Sequence, residues 1–367
     1  MNPTRKLHDI GQSLWLDNIT RDLLESGTLK RYIDEFSITG LTSNPTIFDQ
    51  AIAKSDAYDQ SIRKFSARGE AGEALLFDLA LEDLTRAADL FSPIHQETDG
   101  VDGWVSLEVA PQLADDAARS LAQAKELHAR AQRPNLFIKI PGTAAGVSAI
   151  EESIFAGVPI NVTLLFSREH YLAAADAYLR GLERRRASGL DLSVPSVASL
   201  FVSRWDHAVM DKAPAALRNR LGIAIASRTY RAYRDLLESD RWSRLAAAGA
   251  RPQRLLWGST GTKDPQASDV LYIQALAAPD TINTMPEKTL LAFARHGVVE
   301  GLLPRDGGDA EQVLKEFARA GIDVDSLAAK LQSEGAKAFE ASWNNLIGSV
   351  ATKSDALRRS TPNAVTS

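Results

Sequence analysis

The chain has no cysteine, which removes disulfides, thiolate nucleophiles and cysteine-ligated zinc, and with them any need for an oxidising compartment. Its six histidines do not cluster, so a site built on paired imidazoles is poorly supported and neither a metal nor a cofactor is expected. No apolar run approaches the length of a membrane span, and the N-terminus, Met1-Asn2-Pro3-Thr4-Arg5-Lys6, is charged and lacks the apolar core of a signal peptide. A soluble, unprocessed, cytoplasmic protein is expected. The net charge of -5 is scattered in both signs, leaving no extended basic surface for a phosphate backbone, so neither nucleic acid nor membrane is expected as a partner. The one basic run, Arg184-Arg185-Arg186, falls in a helical stretch and reads as a solvated face. No Gly-x-Gly-x-x-Gly turn follows a strand, which argues against a dinucleotide-binding sheet. No Pro/Gly/Ser-rich hinge and no solenoid repeat divides the chain.

What is present is a repeated alternation of short apolar runs with amphipathic stretches, the pattern of a parallel sheet covered by helices. Candidate strands are Leu14–Ile19, Ile38–Thr42, Val105–Val109, Leu136–Ile140, Ile160–Leu165, Val194–Val202, Leu255–Ser259 and Thr281–Asn283. Their number matches a closed α/β barrel, the (β/α)8 TIM fold. Helical patterns lie between them, among them Leu113–Gln132 and Arg168–Arg185, and the long gap from Ile47 to Trp104 holds further helices, Tyr58–Phe65 and Gly72–Leu90. The expected organisation is one barrel domain over 1–350 with a helical insertion near 50–100. A largely helical segment, Lys315–Leu346, should pack over the barrel mouth, ahead of a mobile tail at 351–367.

In a parallel barrel the C-terminal strand ends converge on one mouth, whatever their separation in sequence. Lys139 ends the apolar run Asn135-Leu136-Phe137-Ile138-Lys139-Ile140, where a cation is costly unless it is used and where an amine can serve as a nucleophile. Other strand ends carry Asp17; Thr42 and Asn44; Glu108; Asn161 and Thr163; Ser199 and Phe201; and Arg204, Ser259, Thr260 and Lys263. Each has a plainer explanation. Asp17 could cap a helix, Asn44 before Pro45 suits a turn, Asn161 and Thr163 could satisfy each other, and Arg204 could pair with Asp206. One mouth accounts for them together. The set supports Schiff-base chemistry, in which a lysine amine attacks a ketone and the iminium becomes an electron sink for carbon–carbon cleavage. Glu108, with Thr163, could hold a water for carbinolamine formation, and Asp17 could take the proton from the hydroxyl of the leaving aldehyde. Asn44, Asn161 and Ser199 suit a polyhydroxylated fragment, while Arg204, Ser259, Thr260 and Lys263 would bind a dianion such as phosphate.

The motifs Trp15-Leu16-Asp17-Asn18-Ile19, Gly40-Leu41-Thr42-Ser43-Asn44-Pro45-Thr46-Ile47-Phe48, Val105-Ser106-Leu107-Glu108-Val109, Phe137-Ile138-Lys139-Ile140-Pro141 and Asn161-Val162-Thr163-Leu164-Leu165-Phe166 resemble, in this order, those of transaldolase, in its longer bacterial and plant-type branch. The resemblance runs from about Leu14 to about Leu346. It implies Lys139 as the Schiff-base lysine, Asp17 as acid/base and Glu108 as the residue that activates water. Asn44 and Asn161 would hold the dihydroxyacetone hydroxyls with Thr42 and Thr163 in support, and Ser199 and Phe201 would line the pocket. The implied reaction moves a dihydroxyacetone unit from sedoheptulose 7-phosphate or fructose 6-phosphate to glyceraldehyde 3-phosphate or erythrose 4-phosphate, in the non-oxidative pentose phosphate pathway. Arg204 fits the family's first phosphate-binding arginine. A second arginine, known from the shorter branch, is replaced by Trp257-Gly258-Ser259-Thr260-Gly261-Thr262-Lys263, where Lys263 would act as a point charge. A phosphoglucose isomerase domain, fused to some relatives, is not expected within these residues. Two alternatives remain, a class I aldolase that releases free dihydroxyacetone and a non-catalytic sugar-phosphate-binding barrel. Monomer and homodimer are both compatible with the sequence.

Overall fold

A computed structural model of the chain describes residues 2–43 and 45–360. Its centre is a closed barrel of parallel strands paired in sequence order, with the last returning to the first. The strands are β1 Gln12–Leu16, β2 Ile38–Thr42, β3 Trp104–Glu108, β4 Leu136–Pro141, β5 Ile160–Leu165, β6 Ser196–Phe201, β7 Arg254–Gly258 and β8 Thr281–Met285. Every strand residue except Arg254 is buried, as expected of a sheet covered on one side by helices and filled on the other, and this is why the strands read as apolar runs. The expected barrel is therefore present, with strand ends displaced by a few residues. β1 begins earlier, at Gln12, because that side chain is buried with its amide donating to Leu276 O and Thr281 Oγ1, so a polar residue sits at a strand start.

Side chains alternate between the two faces of a strand, and that period of two places the site. Trp15, Trp104, Phe137, Val197, Leu256 and Ile282 form an apolar cluster of their own inside the barrel, with the Trp104 and Phe137 rings stacked at 4.0 Å. Two residues further along the same strands come Asp17, Ser106, Lys139, Ser199, Gly258 and Thr284. The aromatic layer thus closes the barrel, and the next inward layer toward the C-terminal end is polar. Gly40 of β2 makes room for this layer: a Cβ there would stand 2.6 Å from Trp15 Nε1.

The helices after β3, β4 and β5 start on side-chain caps. Asp116, Thr143 and Ser167 accept from the backbone N–H of Arg119, Gly146 and His170, opening helices Ala117–Ala131, Ala144–Phe155 and Arg168–Ala187. The expected helix at Leu113–Gln132 is consequently shorter, with Pro111–Leu113 forming a separate 3-10 turn. Gly146 is required, because a Cβ would lie 1.8 Å from Pro141 O at the end of β4. The insertion between β2 and β3 comprises helices Pro45–Lys54, Asp59–Ser66 and Gly72–Glu97. It is held to the segment after β1 by Arg21, whose guanidinium donates to Asp83 Oδ1 at 2.8 Å, Glu82 Oε2 at 2.7 Å and Ser61 Oγ at 2.6 Å.

The C-terminal region differs from expectation in two ways. Helix Ala310–Arg319 ends before Gly321, which takes φ +81°, and a second helix, Val324–Ser360, runs on through the residues expected to be a mobile tail. Residues 351–360 are anchored: Lys353 Nζ donates to Ile52 O at 3.0 Å and to Ser55 O and pairs with Asp59 at 2.9 Å, while Ser354 shares a hydrogen bond with Ser66. Residues 361–367 of that tail lie outside the described residues. Among the described residues no helix is long and apolar enough to cross a membrane.

Candidate active site

The mouth of the barrel holds a pocket of about 180 Å³ whose lining includes Asp17, Thr42, Lys139, Thr163, Ser199, Phe201, Arg204, Ser259 and Lys263. These are nine of the residues singled out from the sequence, and they come from six different strand ends, which is the convergence that a barrel produces.

Lys139 and Glu108 are register partners on β4 and β3. Lys139 Nζ lies 3.0 Å from Glu108 Oε2, with side-chain exposures of 8% and 3%. Beyond Lys139, neither carboxylate oxygen has a hydrogen-bond partner among the described residues. Burial raises the Glu108 pKa, and the charge of Lys139 opposes that rise. Glu108 is therefore a carboxylate with a high affinity for a proton, in contact with an amine that must lose one to become nucleophilic. Thr163, also fully buried, leaves its hydroxyl without a partner among the described residues, at the pocket wall.

Asp17 follows β1, its backbone N–H bonded to Met285 O of β8. Thr42 donates to its Oδ1 at 3.2 Å and lies 3.1 Å from the Thr284 hydroxyl. Burial pushes the Asp17 pKa up to about 6, while Lys139, the Thr42 hydroxyl, Lys263 and Arg204 pull it down. A carboxyl poised near neutrality suits a proton shuttle.

Asn161 is not at the pocket surface. Its Nδ2 donates to Ser106 Oγ at 3.1 Å and its Oδ1 accepts from Ser199 Oγ at 2.7 Å, so it reaches the pocket through Ser199. The cationic end is formed by Arg204, in the first turn of helix Ser203–Val209, and Lys263. Asp206, the alternative partner for Arg204, is committed elsewhere: it accepts from Leu221 N, Gly222 N and Tyr272 OH. Arg204 stands over the rings of Phe201 and Phe339, and burial lowers its pKa against the pull of Asp17. Lys263 is lowered by burial and by the nearby cations Lys288 and Arg204. Two cations with depressed pKa and no ion pair among the described residues are a ready receptor for an anion. Ser259 shares a hydrogen bond with Ser203 at 2.9 Å and lines the pocket. Thr260 does not. Ser259 takes φ +54°, which turns the following residue away, and the Thr260 hydroxyl is spent on Asn283 Oδ1 and Thr284 O. Asn44 lies outside the described residues.

The roof was not identified from the sequence beyond a helix over the mouth. Gln332 of helix Val324–Ser360 donates to Gly142 O and Leu164 O, both at 3.0 Å, at the ends of β4 and β5. The Leu164 carbonyl is presented by a left-handed backbone at φ +58°. Two turns on, Phe339 lines the pocket with its ring centroid 6.0 Å from Lys139 Nζ. The only signal of these positions is their spacing of seven, which marks one face of a helix and nothing of what it covers.

The family description transaldolase/fructose-6-phosphate aldolase matches residues 14–350. The chain belongs to the transaldolase family. It is 44% identical over 357 residues to a transaldolase of Arthrobacter sp. (strain FB24), covering 95% of this chain and 96% of that one. A transaldolase of Thermobifida fusca (strain YX) is 44% identical over 359 residues, 95% of this chain and 98% of its own. A transaldolase of Mycobacterium tuberculosis (strain CDC 1551 / Oshkosh) is 44% identical over 347 residues, 92% of this chain and 93% of its own. The transaldolase motifs fall on the strand ends that meet at the mouth.

Proposed function

We propose that this family member transfers a dihydroxyacetone unit between sugar phosphates through an imine on Lys139. The observation that carries the reading is the buried Lys139–Glu108 contact beside a polar pocket that Asp17 also lines. Lys139 passes a proton to Glu108, and its amine attacks the C2 ketone of sedoheptulose 7-phosphate or fructose 6-phosphate. The carbinolamine loses water, with Glu108 and the Thr163 hydroxyl handling it. Asp17 takes the proton from the C4 hydroxyl as the C3–C4 bond breaks, and its electron pair moves into the iminium to leave an enamine. The aldose phosphate departs. Glyceraldehyde 3-phosphate or erythrose 4-phosphate then enters, the enamine carbon attacks its aldehyde, Asp17 returns the proton, and hydrolysis of the imine frees Lys139.

The three-carbon unit sits against Ser199 and Thr163, with Asn161 fixing the Ser199 hydroxyl. Arg204 and Lys263 take the phosphate, with the Ser259 hydroxyl alongside. The transfer reading, over simple release of dihydroxyacetone, is supported by the roof. Phe339 and Gln332 cover the lysine side of the mouth and limit the water that would protonate the enamine.

Borohydride trapping with fructose 6-phosphate, with and without erythrose 4-phosphate, followed by peptide mass mapping, tests this. A three-carbon adduct on Lys139 that disappears when acceptor is added is the expected result. Absence of any adduct on Lys139 would refute it.

A further inference from the structure

Where the C-terminal helix meets the ends of β4 and β5, one imidazole joins the contacts that hold the roof. His170 stands in the first turn of helix Arg168–Ala187, and its Nδ1 accepts the backbone N–H of Phe166 at 3.2 Å. An acceptor at Nδ1 requires the neutral ring with its proton on Nε2. The amide nitrogen of Gln332, which donates to Gly142 O and Leu164 O, lies 3.4 Å from the same Nδ1. Three acceptors thus surround that nitrogen. One turn on, Gly335 lets the helix come close: a Cβ there would stand 3.0 Å from Leu164 Cδ2 and 3.5 Å from Arg204 Nη1. Protonation of His170 at Nδ1 would turn an acceptor into a donor facing two other donors, the Phe166 N–H and the Gln332 amide. Turning the amide over gives no relief, because its oxygen would then face Gly142 O and Leu164 O.

We infer that neutral His170 is a positioning residue for the roof, holding Gln332 on the ends of β4 and β5, and that its protonation lets the C-terminal helix lift from the mouth. The inference rests on the reading of the roof as the barrier that keeps water from the enamine. With the helix lifted, the enamine carbon takes a proton from water, hydrolysis of the imine frees dihydroxyacetone, and less of the unit reaches the acceptor. Burial lowers the His170 pKa below its ordinary 6.5, against the pull of Glu169, so the roof is seated at neutral pH. The charges around the ring are otherwise engaged. Glu169 is paired with Arg168 at 2.7 Å, and Arg228 of helix Leu221–Leu237 is paired with Glu311 at 2.6 Å. On the C-terminal helix Lys330 and Glu334 pair with each other at 3.7 Å on an exposed face. The ends of β4 and β5 present only the backbone groups already named.

The test is the ratio of released dihydroxyacetone to transferred product, with fructose 6-phosphate as donor and erythrose 4-phosphate at fixed concentration, between pH 5 and pH 8. In wild type the ratio is expected to rise by roughly three- to tenfold as the pH falls below 6.5, the worth of one or two hydrogen bonds. Asp17 titrates in the same range, so the variants assign the rise. In His170→Asn an acceptor that does not titrate takes the place of Nδ1, and the ratio is expected to stay low at every pH. His170→Leu removes the acceptor and should give a raised ratio that no longer depends on pH. A flat ratio in wild type, or an acid rise that survives in His170→Asn, overturns the role of His170. If Gln332→Ala leaves the ratio at pH 8 unchanged, the reading of the roof fails and the inference falls with it. Should neither His170 variant fold, Gln332→Ala carries the test alone: it keeps the imidazole but removes its partner, so the ratio should be raised and flat, and a remaining acid rise overturns the inference.

Discussion

Glu108 and Lys139 stand opposite each other on neighbouring parallel strands, 3.0 Å apart at their charged ends, with both side chains more than nine-tenths buried. Removing one partner leaves the other's charge stranded, and breaking a buried pair in this way costs on the order of 3–5 kcal/mol. Lys139→Met is therefore expected to lose both trapping and turnover and to destabilise the fold at neutral pH. The loss should shrink as pH falls and Glu108, raised by burial, becomes neutral. Urea denaturation at pH 5 and pH 8 checks this; equal destabilisation at both would mean that the pair is not ionic.

Asp17 leads to an effect of opposite sign on stability. Its folded pKa, about 6, stands above its ordinary value of 3.8. The fold accordingly favours the protonated form: this contribution is fully present below pH ~4 and is lost as pH rises through about 6. Asp17→Asn keeps the shape and cannot ionise. It should be more stable than wild type at pH 8 by up to ~3 kcal/mol, with the difference gone at pH 4, while turnover drops by about 10²- to 10⁴-fold. Denaturation curves at the two pH values decide it, and a variant no more stable than wild type at pH 8 would show that the carboxylate is not held at a cost.

The two cations should divide recognition by geometry. Arg204→Met removes a planar fork and is expected to raise KM for phosphorylated donors by roughly 10- to 100-fold, the worth of charge-assisted hydrogen bonds. Lys263→Met removes a point charge and should raise it less. Neither should alter kcat for unphosphorylated donors. Inhibition by inorganic phosphate is the direct readout, and an unchanged inhibition constant in both variants would move the phosphate site elsewhere.

Phe339→Ala and Gln332→Ala are expected to shift partitioning from transfer toward release of free dihydroxyacetone, because each opens the side of the mouth over Lys139. The ratio of released dihydroxyacetone to transferred product at fixed acceptor measures this. A ratio equal to that of wild type in both would leave the helix as a purely structural cover.

What could be read from the sequence follows from the physics of a parallel barrel. Strands buried on both faces stand out as apolar runs, and a polar residue at such a run's end, like Lys139 or Glu108, is conspicuous because burial there is expensive. Gln12 escaped notice because its amide is satisfied by partners more than 260 positions away. Phe339 and Gln332 escaped for a related reason: on an amphipathic helix they look like any other inward face, and their roles depend on which mouth that face covers. Thr260 was misplaced because one left-handed residue, Ser259, reverses the side to which its successor points. The polar stretch after Thr352 resembled a loose end, yet Lys353 and Ser354 find their partners in the insertion helices, a pairing that no local pattern contains.

The barrel closes when β8 pairs with β1, at residue 285, yet the roof over Lys139 comes from Gln332 and Phe339. During synthesis, at about 5–20 residues per second, the nucleophile and its carboxylates thus leave the ribosome before their cover does. A chain ending after β8 would therefore carry Asp17, Glu108 and Lys139 and none of the helix that covers them.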